Sequence, residues 1–257
     1  CPVRPALTPE GKKCVLKLSL GGWPLHVAVF EVVLGRLSLY LMDTNVEGNA
    51  PGDRDVSGRL YGGDQTMRLR QEIVLGIGGV RVLRALKVPA EVFHANEGHS
   101  AFLFLERIRE LVAEGLSFED ARRALRETTV FTTHTPVPAG HDVFPEALIE
   151  EYFKKYWPTL GLDRESFLEL GRAPGAAGWN MTALALRLAG RSNGVTLLLD
   201  QMPCKSGWPS AVRGTDHALV GTLCCFVLSA GACARSAEVN ISAQATPASN
   251  LREPPCL

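Results

Sequence analysis

Across residues 13 to 45 the apolar positions fall into three runs: Val15, Leu16, Leu18 and Leu20, then Leu25, Val27, Val29, Val32 and Val33, then Leu37, Leu39 and Leu41. The spacing is largely two, and Gly21-Gly22 and Gly35 interrupt it, so a β-rich segment with short turns is expected. Residues 46–64 then gather Gly48, Asn49, Pro51, Gly52, Asp53, Gly58, Gly62 and Gly63 into a polar loop, long enough to be functional or mobile. Helical spacing begins with Leu69, Ile73, Ile77, Val80 and Leu83, predicting a helix from about Gln65 to Leu86 with Asp64 as its N-cap. Gly76, Gly78 and Gly79 oppose that helix by about 1 kcal/mol each, unless their small size serves close packing against a neighbour.

The pattern then alternates. A strand near residues 90–94 leads to a helix from about His99 to Glu114, with Phe104, Leu105, Ile108, Leu111 and Val112 on one face. Ser117 with Asp120 resembles a capping box for a helix to about Arg126, and a strand near 128–133 follows. Pro145 suits the first turn of the next helix, whose stripe is Leu148, Ile149, Tyr152, Phe153 and Tyr156, and Trp179 to Leu188 reads as another helix. Strands alternating with helices predict an α/β fold with a parallel sheet covered on both faces.

Composition changes the picture mainly after Val195. Residues 196–257 carry eight charged side chains, show no sustained period, and are read as an irregular tail without a packed core. Within it, Ala218 to Ala234 is uncharged and approaches the length that spans a bilayer. Its Gly, Ser, Thr and Cys content argues against a membrane span. Zero formal net charge leaves no basic excess for nucleic acid. Cys1, Cys14, Cys204, Cys224, Cys225, Cys233 and Cys256 make an odd count without zinc spacing, so reduced thiols in a cytoplasmic protein are expected. The chain opens on Cys1 with no secretory pattern, and the missing methionine suggests that translation began upstream.

Candidate chemistry sits where two strand-like runs stop. Glu91-Val92-Phe93 runs into His94-Ala95-Asn96-Glu97-Gly98-His99, and Thr129-Val130-Phe131 runs into Thr132-Thr133-His134-Thr135-Pro136. Ligands of open α/β sheets bind outside the carboxyl ends of strands. Two polar clusters at two such ends therefore point to a small-molecule site. Asn96, Glu97, His99 and His134 mix donors and acceptors, as sugar hydroxyls require; equally, they could cap the helix beginning near Gly98 and satisfy one another. His94 and His99 are five apart, the wrong spacing for a helical zinc pair, so no metal site is expected. Leu75-Gly76-Ile77-Gly78-Gly79 lies inside a helical pattern and is rejected as a nucleotide fingerprint. Arg68, Arg70, Gln71 and Glu72 are read as a solvated helix face within reach of a substrate, and His26 as structural.

Longer runs carry a specific likeness. Tyr40 to Asn45, Arg59 to Asp64, Met67 to Glu72, His94 to His99, Thr132 to Asp142 and Gly178 to Thr182 resemble the α-glucan (glycogen/maltodextrin) phosphorylases, most closely their bacterial and archaeal branch. The likeness runs in order over about residues 13–195, as part of an N-terminal domain, and leaves 196–257 as an unrelated, out-of-frame or fused tail. It implies an incomplete Rossmann-like half of a GT-B fold. It also implies phosphate attack on terminal α-1,4-linked glucose with retention of configuration, giving glucose 1-phosphate. The implied partners are α-1,4-glucan and phosphate. By the same resemblance, His134 hydrogen-bonds the glucose, Asn96, Glu97, His99 and Thr135 line its pocket, and the 47–64 loop borders the access route.

The family's pyridoxal phosphate is held by a lysine of a C-terminal domain that has no counterpart here, so the isolated chain is expected to be inactive. A non-catalytic glucan-binding module or partner-binding remnant is the alternative. A glycosidase using Glu97 and a second carboxylate is a third reading, which requires two carboxyl groups roughly 5–10 Å apart.

Overall fold

A computed structural model describes residues 3–59, 63–134, 142–175, 177–194 and the backbone of 226–228. Strand β1 (Arg4–Pro5) and strand β2 (Val15–Leu20) lie end to end along one edge of β3 (Trp23–Leu34), both antiparallel to it. β4 (Leu37–Asp43) pairs antiparallel with the other edge. The three expected runs are these strands. Period two puts Trp23, Leu25, Val27 and Val29 inward, all buried, while Pro24 is exposed and His26 and Ala28 are half-buried. Asn49 holds the strand at His26: the His26 N–H donates to Asn49 Oδ1 at 2.8 Å, Asn49 Nδ2 donates to the His26 carbonyl at 2.7 Å, and the ring Nδ1 lies 3.3 Å from the same Oδ1.

The polar loop that follows is stitched down where it is described. Around the turn α1 (Pro51–Arg54), Thr44 N–H donates to Ser57 Oγ, Ser57 Oγ to Asp43, and Asn49 Nδ2 to Thr44 O. Leu60, Tyr61 and Gly62 lie outside the described residues.

The expected long helix is present as α2 (Gln65–Ile73) and α3 (Gly79–Ala85), joined by a π-helical turn over Val74–Gly78. Asp64 caps it, accepting from Met67 N–H at 2.8 Å. The glycines that weaken this helix locally allow a close approach. A Cβ on Gly76 would lie 2.8 Å from both Leu103 N and Phe102 Cβ. The nucleotide fingerprint is thus correctly rejected, since its glycines are buried inside a helix.

β5 (Phe93–Asn96) runs into a 3₁₀ turn, Gly98–Ser100, and then α4 (Phe102–Ala113). α5 (Phe118–Arg126) has the expected Ser117 cap, with Oγ accepting from Asp120 N–H at 3.2 Å. Then come β6 (Thr129–Thr133), β7 (Val143–Phe144), α6 (Glu146–Phe153), α7 (Arg164–Glu169), β8 (Trp179–Asn180), α8 (Met181–Leu188) and β9 (Arg191–Gly194). β5, β6 and β9 form a parallel sheet in that order, consistent with an α/β fold. β7 and β8 form a separate antiparallel pair. An aromatic column ties α4, α6, α7 and β8: Phe102–Phe153 at 4.8 Å, Phe153–Phe167 at 5.5 Å and Phe167–Trp179 at 4.8 Å between centroids.

Of the tail, β10 (Phe226–Leu228) pairs parallel with β4, so this stretch is extended where an irregular one was expected. The rest of residues 195–257, with most of the Ala218 to Ala234 run and the late cysteines, lies outside the described residues, as do Cys1 and Thr135. Among the described residues Cys14 is a free, buried thiol, and no helix is long and apolar enough to cross a membrane.

Candidate functional site

The carboxyl ends of β5, β6 and β9 stand side by side, with Asn96 opposite Thr132 and Thr133 opposite Gly194. This edge brings the two sequence clusters together. Glu97 N–H donates to Thr132 O at 2.8 Å, extending the ladder one residue past β5. Its carboxylate then reaches across to β6, accepting from Thr133 Oγ1 at 3.1 Å and from the backbone N–H of His134. His134 Nε2 lies 2.8 Å from Asn96 Oδ1, which places the ring proton on Nε2. Asn96 and His134 are exposed, with Glu97 and His99 half-buried. The helix-capping reading of Glu97 does not hold, because its side chain makes no cap hydrogen bond. Both of its oxygens accept from β6.

Glu97 takes this position through an unusual backbone, with φ 67° and ψ 169°. Such a conformation costs a non-glycine residue about 1–3 kcal/mol, and the two bonds to β6 oppose that cost. Glu97→Ala is therefore expected to destabilise the protein by about 1–3 kcal/mol in urea unfolding. Glu97→Gly should cost less than Glu97→Ala, because glycine accepts this φ. An alanine variant as stable as the glycine variant would count against the strain.

A second hydrogen-bonded row lies beneath. Thr132 Oγ1 donates to Asn193 Oδ1, so its single proton is used and His94 Nε2, 2.7 Å away, must be the donor to it. Burial, and then the neighbouring His134, hold His94 below the usual imidazole range, so it is neutral at pH 7. Sequence reading placed Thr133 in the cluster without a role of its own and missed Asn193. Asn193 is 61 positions from Thr132 and becomes visible only once β9 is known to pair with β6.

His99 sits in the 3₁₀ turn beside α2. Burial pushes its pKa down; Asp142 and Glu97 act upward on it, and Arg68 downward. The α2 residues taken for a solvated face are not one. Gln71 and Glu72 are buried, and Arg68 Nη2 meets Asp142 Oδ2 at 2.7 Å. Arg70 donates to Tyr152 OH at 2.6 Å and to Asp53 at 3.1 Å, and stacks over Trp23 at 4.7 Å. The partners of Arg68 and Arg70 in these bonds lie 17 to 82 positions away, so no local pattern shows them. Among the described residues no group of three or more His, Cys, Asp or Glu side chains that could hold a metal ion occurs.

No family model matches the chain. Individual relatives do. It is 43% identical over 197 residues to a maltodextrin phosphorylase of Thermococcus litoralis, covering 77% of this chain and 23% of that protein. A glycogen phosphorylase of Mycobacterium tuberculosis is 43% identical over 212 residues, with 77% and 24% covered. One from Aquifex aeolicus is 40% identical over 197 residues, with 76% and 28% covered. The chain thus spans about a quarter of the length of the relatives it matches. Over the matched three quarters of its length, the chain belongs to the maltodextrin/glycogen phosphorylase family and corresponds to a fragment of such a protein.

Proposed function

We propose that this chain supplies the glucose-holding wall of an α-glucan phosphorylase. In this reading it forms part of the N-terminal, Rossmann-like half of a GT-B enzyme that releases glucose 1-phosphate from terminal α-1,4-glucosyl units. The observation that carries the proposal is the convergence of Asn96, Glu97 and His134 on one sheet edge. Glu97 has an orienting role, since it fixes the backbone of His134. The exposed His134–Asn96 pair offers both hydrogen-bond donors and acceptors to sugar hydroxyls. His99 lines the inner side as a neutral imidazole. Thr135, assigned to the same pocket by family likeness, lies outside the described residues.

The family's cofactor does not fit here. Pyridoxal phosphate needs a lysine for its aldehyde and cations for its phosphate. Among the described residues no lysine joins this edge, and Arg68 is already bound to Asp142. No step is therefore assigned through the cofactor, and this chain alone is expected to release no glucose 1-phosphate. It should still bind maltooligosaccharide weakly. In saturation-transfer NMR, His134→Ala should weaken that binding by roughly tenfold or more, the loss of one hydrogen bond to a polar partner. Binding that His134→Ala leaves unchanged, or phosphorolysis by the chain alone, would overturn the assignment.

A further inference from the structure

Glu72 is a buried acidic residue of α2 that the proposed chemistry does not use. It is 2% exposed, neither carboxyl oxygen has a hydrogen bond of good geometry, and the group it faces is the carboxyl of Asp142, within reach of a shared proton. Its nearest cation, Arg68 Nη2, is 3.6 Å from Oε1, but that same nitrogen is 2.7 Å from Asp142 Oδ2. Arg68 thus gives its close contact to Asp142. An ionised Glu72 would be a second carboxylate on one guanidinium, and unlike Asp142 it has almost no water to compensate it; an uncompensated buried charge costs several kcal/mol.

We infer that Glu72 works as a neutral carboxylic acid that keeps Arg68 on Asp142 and so positions the turn carrying His99. The path is short. Asp142 O accepts the N–H of Met181, the first residue of α8, at 3.0 Å. The same end of α8 seats the turn: a Cβ on Gly98 would lie 3.1 Å from Thr182 Oγ1 and 3.2 Å from Thr182 N. Glu97, Gly98 and His99 are consecutive, so a displaced Asp142 would move the turn that orients both functional side chains. The inference rests on the proposed function only in reading His99 as part of the pocket.

The charges around Glu72 agree with this. Burial raises its pKa well above the usual 4.5, Asp142 raises it further, and Arg68 acts against both. Between 4.5 and the folded value, the unfolded chain has released this proton and the folded chain keeps it. Stability therefore falls as pH rises through that window. His99 titrates in the opposite sense, its lowered pKa adding stability up to about pH 6.5. It does so with or without Glu72, and cancels when variants are compared.

The experiment is urea unfolding of the protein and of Glu72→Gln, from pH 4.5 upward. The folded-to-unfolded ratio of Glu72→Gln, relative to the parent, should rise about tenfold per pH unit, the equivalent of 1.36 kcal/mol. A relative ratio that stays flat or falls would mean an ionised pair with Arg68 and would overturn the inference. Carbon-13 NMR of the Glu72 carboxyl in the unaltered protein provides a check that needs no variant. The carboxyl is expected to titrate well above 4.5, and titration near 4.5 would overturn the inference. For positioning, Glu72→Ala should shift the His99 ring resonances and Glu72→Gln should restore them. Resonances unmoved by Glu72→Ala would refute that role, and no arm depends on sugar binding.

Discussion

Gly190→Ala is expected to destabilise the protein by about 3 kcal/mol or more, the upper end for overpacking. A Cβ at Gly190 would lie 1.5 Å from Arg126 O and 2.4 Å from Arg126 C, both backbone atoms that no rotamer change can move. The end of α5 and the start of β9 would have to part. That would break the bond from Gly190 N–H to Thr129 Oγ1, now 3.0 Å, at the mouth of the β6–β9 ladder. Asn193 would then lose its register with Thr132, so the second row of the site would fail with the fold. For a chain of this size each kcal/mol shifts Tm by about 2–4 °C, so a drop of about 6–12 °C is expected in calorimetry. Gly52→Ala is the matched control, because nothing lies within 4 Å of a Cβ there. Equal melting temperatures for the two variants would remove the steric argument.

How much of this was legible beforehand depended on range. The alternation in Leu25, Val27 and Val29 gave β3, and local capping chemistry gave the starts of α2 and α5, through Asp64 and Ser117. These signals work because the interacting groups are neighbours along the chain. The π-helical turn at Val74–Gly78 was not legible, because Gly76 answers to Phe102 and Leu103 on another helix and Gly78 to Leu18 and Met42 on the sheet. The site divides the same way. Two polar clusters after apolar runs mark the carboxyl edge, since strand ends are local features. The roles within it are not local: Glu97 serves His134, 37 positions on, where the sequence alone left a helix cap and a sugar-binding group equally open. Charged residues on a helix read as solvated unless a partner is known. Arg68, Arg70 and Glu72 were misread for that reason.

Glu106 extends that lesson to a residue with no functional signal in the sequence at all. Its side chain is fully buried, and it accepts from Arg81 Nε at 2.8 Å and Nη2 at 3.2 Å, Arg109 Nη2 at 2.8 Å and Tyr156 OH at 2.8 Å. One carboxylate thus joins α3, α4 and the chain just after α6. Burial, and then the charge of Glu106, raise the Tyr156 pKa, so the phenol stays a donor throughout the stable range. Glu106→Ala leaves two guanidinium groups and a buried hydroxyl without their acceptor, and breaking such a pair typically costs about 3–5 kcal/mol. Glu106→Gln keeps the volume and one acceptor oxygen, so about 1–3 kcal/mol is expected in the same urea titration. Because Tyr156 shares this acceptor, adding Tyr156→Phe to Glu106→Ala should cost less than Tyr156→Phe costs alone. A strictly additive double variant, or a Glu106→Ala loss under about 1 kcal/mol, would show that the helices hold without this carboxylate. The outcome also bears on the site, because α4 begins three residues after His99 and its seating on α3 fixes where that turn ends.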